Sequence, residues 1–407
     1  MGILQRFSGW VKRTFNDPYT SFLKGLSFTG VGRTPVTEKT SLGLAAYWAG
    51  VRRISESIAQ LPIDVYKREG EYRIPVVHPS EYLLNAEANY ISTAYDFIQV
   101  LVASAINHGN GLALIERNGF STPTALVNVV RENCEPIKFE GVLFWKVYID
   151  GDKTKEPLLV KDADVINLRG FGTDPVLGLS AIRYHQKNLG LALSAQDYGV
   201  DFYNKGSRLD GFLEYQGTLS PEAKDTIQDQ WNSNYGPNGK AGTAILDNGT
   251  KYHRLGMPPE EAQFIQTRKF QKNEIATILG LPPYMIGDFE NAKWNNIEQL
   301  SIDFTTYSIG SWIEKLEQEF RRKLLKESEK KNHYFKYNTN ALLRTDAKSK
   351  AELYRTMTAI GVYSINDVRK LEDLNPVENG DERFVQINQA PIGQLADYHK
   401  KEENDGE

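Results

Sequence analysis

The sequence predicts a multidomain α+β protein, and three features carry that prediction. Short alternating segments with turn signals such as Asn118-Gly119 and Asp150-Gly151 fill most of residues 60–170. Two long helical stretches without proline, 179–204 and 260–280, come next and enclose a compact insert. The chain has 407 residues, 40% hydrophobic and 25% charged, which is the composition of an ordinary soluble protein with more than one domain.

The first part opens with an amphipathic helix at 41–61. Apolar residues recur at three- and four-residue spacing from Leu44 to Leu61, and Pro62 ends the pattern. Alternation and turn residues define the elements that follow. In chain order we expect a strand at 62–70, a helix at 93–108, strands at 111–119, 125–130 and 144–151, and further short strands within 158–169.

The second part is dominated by helices. The insert at 208–258 reads as a strand at 211–215, a helix capped by Ser220, and a hairpin that turns at Asn248-Gly249. The segment LGLPPYMIGDFENAKWNN, residues 279–296, follows the helix at 260–280 and is poorly suited to regular structure. Three more helices complete the chain: a long one at 297–330, one from Thr345 to Ile360 closed by Gly361, and one opened by a capping box at Ser364–Asp367.

The bulk properties exclude several classes of protein. A net charge of −4 gives no global attraction to nucleic acid or to a membrane surface. A single cysteine, Cys134, rules out an intrachain disulfide framework and a cysteine-rich metal site. No uncharged apolar run reaches the length that spans a membrane, so we expect no membrane partner.

The chain ends carry patterns of their own. Apolar residues from Ile3 to Val11 recur at helical spacing beside Arg6, Lys12 and Arg13. Such a basic amphipathic pattern can bind a membrane surface, but a helix docked on a neighbouring subunit, or a partly disordered arm, is the favoured interpretation. The charged tail DYHKKEENDGE is predicted to be disordered.

Signals for enzymatic chemistry are weak, and we predict no catalytic residue, metal or cofactor. The chain lacks a P-loop and the HExxH, GxSxG and CxxC motifs. His108 ends a helix beside two glycines, where the helix dipole alone favours a histidine. Cys134 is interpreted as a structural thiol. Asp288 and Glu290 form an acidic pair with Glu298 nearby, but such a pair is more often solvated than metal-binding.

A set of segments, in order and spacing, resembles the portal proteins of long-tailed bacteriophages. The resemblance covers residues 42–380, and its individual segments are only weakly specific. They are VRRISESIAQLPIDVYKREG (51–70), HP (78–79) followed by YLLN, INHGNGLALIERNG (106–119), NLRGFGTDPVLGLSAI (167–182), LGLALSAQDYGVDFYNKGS (189–207), LSPEAKDTIQDQW (219–231), EEAQFIQTRKFQKNEIATILGLPPYMIGD (260–288) and NIEQ (296–299). Two positions depart from the family's usual proline-containing turns, namely Ala181 and Ala88-Asn89, and these put local geometry in doubt more than function.

The resemblance implies a portal fold with wing, helical stem, α/β clip and helical crown. Its parts are an N-terminal arm (1–25), the wing (26–175 and the long helix at 297–340), stem helices (176–207 and 259–280), the clip (208–258), a tunnel loop (281–296), the crown (341–390) and a disordered tail (391–407). It also implies a ring, usually of twelve copies, at one capsid vertex of the virion, assembled in the host cytoplasm. The implied partners are the terminase large subunit, a head–tail adaptor, the major capsid and scaffolding proteins, and double-stranded DNA bound without sequence specificity.

The residues themselves support this role in part. A ring needs heterologous contacts, which long helices can supply. A mildly acidic chain suits DNA that slides, because each phosphate contact adds affinity. The acidic residues near Glu372 fit the same idea, although a solvated surface would look the same. Two alternatives stay open: a metal-dependent nucleic-acid enzyme, and a capsid scaffold or adaptor that forms no channel.

Two sets of site residues follow from the resemblance. We expect the tunnel loop to line the narrowest part of the channel, and we expect the clip to dock the packaging motor or the adaptor. The loop residues are Tyr284, Met285, Ile286, Asp288, Phe289, Glu290, Asn291, Lys293, Trp294 and Asn295. The clip residues are Asn238, Lys240, Asp247 and Asn248.

Overall fold

The protein is mixed in secondary structure, as expected, and its chain divides after Tyr337 into two compact units. The computed structural model describes residues 34–148, 151–204, 211–214, 220–235, 251–254, 261–289, 302–339, 347–372 and 374–384. Nine helices and eleven strands of the first unit fall in these ranges. They are α1 (Glu38–Leu42), α2 (Ala45–Ala59), β1 (Ile63–Glu69), β2 (Tyr72–Pro75), α3 (Pro79–Asn85), α4 (Ala94–His108), β3 (Asn110–Arg117), β4 (Pro123–Val129), β5 (Cys134–Phe139), β6 (Val142–Val147), β7 (Leu158–Lys161), β8 (Val165–Arg169), α5 (Ala181–Tyr184), α6 (Gln186–Asn204), β9 (Gly211–Glu214), α7 (Pro221–Tyr235), β10 (Lys251–Arg254), α8 (Glu261–Leu279), α9 (Gly310–Leu324) and β11 (His333–Tyr337).

The described strands form four small antiparallel sheets, in the orders β11-β1-β2, β4-β3-β8, β5-β6-β7 and β10-β9. In the first sheet Ile63 pairs with Tyr337 and Lys67 with His333, so a strand near the end of the unit pairs with one near its start. In the third sheet the fully buried ring of Trp145 packs in a cluster with Leu112 and Val165, which joins it to the β4-β3-β8 sheet.

Helices α2 and α4 form the centre of the core. Ile54 and Ile58 on α2, and Phe97 and Leu101 on α4, are almost completely buried. Burial of each such side chain contributes about 1.5–3 kcal/mol. Tyr47 is also fully buried, and its hydroxyl donates to Asn107 Oδ1 at 3.0 Å. The helical spacing that predicted α2 therefore marks the side that is buried in the fold, except for Trp48, which is 53% exposed.

Helix α9 is fastened to the sheets by buried charges. Lys323 is only 3% exposed, and its Nζ lies 2.6 Å from Asp162 Oδ2, which balances the charge. Burial lowers the pKa of Lys323, while Glu319 and Asp162 oppose that shift. The indole N–H of Trp145 donates to Asp162 at 3.1 Å, and Arg117 donates to the carbonyl of Lys323 at 2.6 Å. Because a buried charge without its partner is costly, these contacts fix the end of α9 in place.

The INHGNG segment is a close crossing of backbones. Gly109 ends α4 with φ +85°, and the side chain of Asn110 then bonds three ways. Its Nδ2 donates to Asn167 Oδ1 at 2.7 Å and to the carbonyl of Val176 at 2.9 Å, and its Oδ1 accepts from Gly178 N at 3.0 Å. A Cβ at Gly111 or Gly178 would overlap a backbone oxygen, so the glycines permit the approach that the amide requires.

Two predicted helices prove to be split. The helix expected at 41–61 is broken at Gly43, because a capping box at Thr37 starts the short α1 and Gly43 caps its end. The helix expected at 179–204 is broken at His185, where φ is −102° and ψ is 27°. The Ser180 hydroxyl caps α5 and also donates to the carbonyl of Asn107, so this first turn is tied to the end of α4.

The long helix predicted at 297–330 is shorter than expected. Of this range, residues 302–330 are described. A π-helical segment at Phe304–Ile309 leads into α9, which ends at Leu324 because Leu325 is extended (ψ 146°). Residues 333–337 alternate in burial and form β11, a strand that the sequence prediction missed. It also missed β2, β5 and α3, whereas the short strands expected within 158–169 are confirmed as β7 and β8, which lie in different sheets.

The insert and the second unit agree with the prediction where they are described. Strand β9 and helix α7 lie within one residue of their expected bounds, and β9 pairs with β10. The Asn248-Gly249 turn, Thr345 and the N-terminal arm lie outside the described residues. In the second unit α10 (Ala347–Ala359) ends before Gly361, which has φ +71°, and Ser364 opens α11 (Ile365–Leu371) with the expected capping box.

We predict that replacing Gly178 by alanine lowers the free energy of unfolding by about 2–4 kcal/mol, because the new Cβ would overlap the carbonyl oxygen of Gly109. Gly119→Ala is the matched control, since a Cβ there meets no atom within 4 Å. Urea denaturation followed by circular dichroism measures both. Equal stability of the two variants would contradict the close crossing.

Candidate functional site

The loop that the resemblance places in the channel begins at a well-defined helix end. Gly280 has φ +67° and follows the last residue of α8. The N–H of Leu281 donates to the carbonyl of Ala276 at 2.9 Å, and the N–H of Gly280 donates to that of Thr277 at 3.1 Å. These two bonds form a Schellman motif, which turns the chain away from α8 while it satisfies carbonyls at the end of the helix.

The turn after α8 packs on a glycine in the middle of α2. A Cβ at Gly50 would overlap Leu279 Cδ1 and would lie 3.2 Å from Leu281 Cδ1 and 3.6 Å from Ile286 Cγ2. All three apolar side chains are buried. Glycine in a helix interior lowers helix stability by about 1 kcal/mol relative to alanine. At position 50 only glycine leaves room for these apolar side chains, which explains its presence in α2. Gly50 was not among the predicted site residues, although a glycine inside an amphipathic helix is a signal of close packing.

Further contacts hold the loop from two sides. Pro283–Ile286 forms a 3₁₀ turn that ends at Gly287, with φ +84°. Lys272 on α8 donates to the carbonyl of Gly287 at 2.8 Å. Ser308, in the π-helical segment, donates to the carbonyl of Gly280 at 2.6 Å. The start of the loop is therefore fixed by α8, by α2 and by the segment that follows the loop.

The described residues of the predicted loop set differ in how exposed their side chains are. Ile286 is buried, 6% exposed, so its side chain belongs to the core of the protomer and is removed from the set that could face a channel. Tyr284 is partly buried, and burial, followed by the charge of Asp303, raises its pKa. Met285 and Asp288 are partly exposed. Phe289 is 58% exposed at the end of the described part of the loop.

The other predicted site residues lie outside the described residues. In the loop these are Glu290, Asn291, Lys293, Trp294 and Asn295, and in the clip they are Asn238, Lys240, Asp247 and Asn248. For the clip the structure describes strands β9 and β10 and helix α7, which Ser220 caps through its hydroxyl at 3.3 Å from Ala223 N.

His108 and Cys134, the two residues considered for catalysis, both have surroundings that suit a structural role. His108 Nε2 lies 3.2 Å from Glu38 Oε2 at the end of α4, and Glu38 also accepts from Asn107 at 3.0 Å, so these groups bind α1 to the core. Cys134 is buried, and burial raises its pKa to about 11, which disfavours the reactive thiolate.

The described ranges hold neither a metal-binding cluster nor a helix that could span a membrane. No group of three or more histidine, cysteine, aspartate or glutamate side chains there is placed to hold a metal ion. Of the acidic set Asp288, Glu290 and Glu298, only Asp288 is described. None of the described helices has the length and apolar character required to cross a bilayer.

Solved structures of low sequence identity share the fold. One is an HK97 family phage portal protein from Corynebacterium diphtheriae, with a TM-score of 0.57 and 14% identity, where the match covers 78% of this chain and 99% of the other. Another is a chain from the neck of a native gene transfer agent particle, computed with C12 symmetry, with a TM-score of 0.53 and 17% identity over 88% of this chain and 99% of the other.

The chain also matches known proteins in sequence. The family model described as phage portal protein matches residues 45–373. A protein described as a probable portal protein of Streptomyces phage phiC31 is 31% identical over 392 residues, which are 93% of this chain and 85% of the relative. Since both matches span most of the sequence, the chain belongs to the phage portal protein family.

Proposed function

We propose that this portal protein assembles as a ring of identical subunits at one vertex of a phage capsid and forms the channel through which DNA is packaged and ejected. The observation that carries the proposal is the family match over residues 45–373. The neck chain of similar fold comes from an assembly computed with C12 symmetry, which supports a ring of twelve copies. The role is structural, and the ring works as a conduit in the virion.

The loop geometry fits a channel constriction. Its first residues are fixed within one protomer by Gly50, Lys272 and Ser308, so each copy presents the loop in the same place. The exposed Phe289 follows this anchored part. A constriction that holds a moving duplex needs a rigid base, because a loop that yields at its base cannot set a diameter.

The insert between α6 and α8 is proposed to be the docking element. We propose that it binds the large terminase subunit during packaging and a head–tail adaptor afterwards, and that major capsid and scaffolding proteins contact other parts of the ring. The support is its position, since a small sheet of β9 and β10 and one helix stand between the ends of two long helices.

Electron microscopy of the purified full-length chain tests the ring directly. We expect particles with a central hole and a rotational symmetry close to twelvefold. A chain that remains a compact monomer at high concentration and cleaves DNA when a divalent metal is added would overturn the proposal in favour of a nucleic-acid enzyme.

We predict that shortening the loop between Phe289 and Asn296 leaves ring assembly intact and impairs DNA packaging or retention, because the anchored residues before Phe289 are kept. The matched control is a shortening of the exposed turn between β3 and β4, around Gly119. Rings are scored by microscopy, and packaged DNA is scored by nuclease protection in particles. Normal packaging and retention with the shortened loop would reduce the loop to a connector.

We predict that the charge reversals Lys240→Glu and Asp247→Lys weaken binding of the packaging motor or adaptor without loss of ring formation, since charge complementarity guides docking surfaces. The exposed Lys155→Glu, far from the insert in sequence, serves as the control. A pull-down with the purified partner measures the effect, and unchanged binding of both reversals would remove these residues from the docking surface.

A further inference from the structure

Helix α2 begins without a capping side chain. Its N-cap residue is Leu44, which offers no side-chain acceptor, and no acidic residue stands in the first turn. The N–H groups of Ala45 and Ala46 therefore have no acceptor among the described residues. Free N–H groups at the start of a helix, together with the helix dipole, favour a negative charge nearby. Many helices start in this way, so the surroundings of this one determine what it can bind.

The start of α2 lines a cavity between three helices. Leu44, Ala45 and Ala46 form one part of its wall, and the cavity has a volume of about 400 Å³. Helix α6 contributes Ala192 and Gln196 to the wall, and α8 contributes the rest. Sites for small molecules have volumes of roughly 300–1,000 Å³, so this cavity is large enough to hold one.

The wall formed by α8 contains a buried amide without a partner. Arg268, Gln271, Lys272 and Ile275 line the cavity, and their spacing places them on one face of the helix. Gln271 is only 5% exposed, and its Nε2 has no hydrogen-bond partner among the described residues. A buried donor that lacks an acceptor is destabilising. Its position in the wall of a cavity indicates a ligand that accepts a hydrogen bond from it.

The same wall of α8 is positively charged. Arg268, Lys269 and Lys272 all line the cavity, and no aspartate or glutamate is among the described residues that do so. Lys269 already has an interaction within the protomer. Arg268 is exposed and makes no hydrogen bond or ion pair in the described part of the chain. Lys272 donates to the carbonyl of Gly287 at 2.8 Å, a neutral group that leaves the charge of the ammonium unbalanced.

Two carboxylates stand close to lining residues in sequence, but neither lines the cavity. Asp197 follows Gln196 on α6, and its Oδ2 accepts from the hydroxyl of Thr34 at 2.6 Å. Glu274 lies two residues after Lys272 on α8, which is about 200° around the helix. The positive charge at the cavity is therefore left for a ligand.

We propose that this cavity binds a phosphate group. The N–H groups of Ala45 and Ala46 and the amide of Gln271 donate to its oxygens, and the cations Arg268 and Lys272 balance its charge. The donors belong to different helices, so they approach a ligand from several directions. The oxygens of inorganic phosphate have a tetrahedral arrangement that can accept from all of them, whereas a carboxylate offers two oxygens in one plane. The site is complete within one chain, so it does not depend on the proposed ring.

Thermal denaturation of the purified full-length chain, with inorganic phosphate as the probe, tests the site. A ligand that binds only the folded protein raises Tm by about 3–5 °C at a hundredfold excess over Kd, for a unit of this size. We expect this rise with phosphate and no comparable rise with sodium chloride of the same ionic strength, or with acetate. Phosphate that acts no more strongly than chloride would overturn the site, and an equal effect of acetate would overturn the choice of phosphate.

Two pairs of variants locate the site by isothermal titration calorimetry. Arg268→Gln should weaken phosphate binding by about tenfold or more, the usual contribution of a hydrogen bond to a charged group. Lys187→Gln is its control, because Lys187 is an exposed cation on α6 that does not line the cavity. Gln271→Met should weaken binding by about threefold or more. Its control is Gln266→Met, since Gln266 is exposed on α8 and lies outside the cavity wall.

Equal weakening by Arg268→Gln and Lys187→Gln would show that phosphate only screens the surface charge, and this would overturn the site. Arg268 is exposed, so its replacement leaves the core intact and keeps this comparison available even if Gln271→Met fails to fold. Microscopy of the same samples separates the site from the proposed ring, because a chain that binds phosphate without forming rings would overturn the ring alone.

A short DNA duplex, added at an equal concentration of phosphate groups, identifies the source of the ligand. Displacement of inorganic phosphate by the duplex, together with weaker duplex binding by Arg268→Gln, would support the site and assign it to the DNA backbone. Phosphate binding that the duplex does not change would support the site and assign it to free phosphate.

Discussion

The first unit depends on one buried side-chain amide, that of Asn110. Its nitrogen donates to Asn167 and to the carbonyl of Val176, and its oxygen accepts from Gly178. The amide thereby joins the end of α4, the strands β3 and β8, and the segment that leads into α5 and α6. A buried amide left without partners is costly, so these three hydrogen bonds are strongly specified. The neighbouring glycines are what allow the backbones to come close enough to reach it.

A second anchoring point lies where α8 ends. Helix α8 turns on a Schellman motif at Gly280, and the residues after it fill the notch at Gly50. Ser308 then binds the same turn from the chain that returns after the loop. Hydrogen bonds of the Asn110 side chain form the first anchoring point. Apolar side chains that pack against Gly50 form the second. Together they fix the chain that leads into α5 and the chain that follows α8.

Sequence reasoning identified the elements whose signals are local. Capping residues lie within a few positions of the helix ends that they define, so they can be predicted from local sequence. They marked the helix starts at Thr93 and Ser364 and the helix ends at Gly109, Gly280 and Gly361. The misses depended on distant contacts. Strand β11 exists because Phe335 and Tyr337 pair with β1, some 270 residues earlier in the chain, and no local pattern reports that partner. The burial of Ile286 likewise depends on Gly50, so a residue expected to line the channel proved to belong to the core.

The proposed ring shows a limit on what helix packing alone can specify. Twelve copies require a turn of about 30° from each subunit to the next, and eleven require about 33°. Packed helices vary in crossing angle by about 15–20°. Helix packing between neighbouring copies is therefore too tolerant to fix the number of subunits, and in the proposed ring that number has to be set by a larger structure such as the capsid vertex.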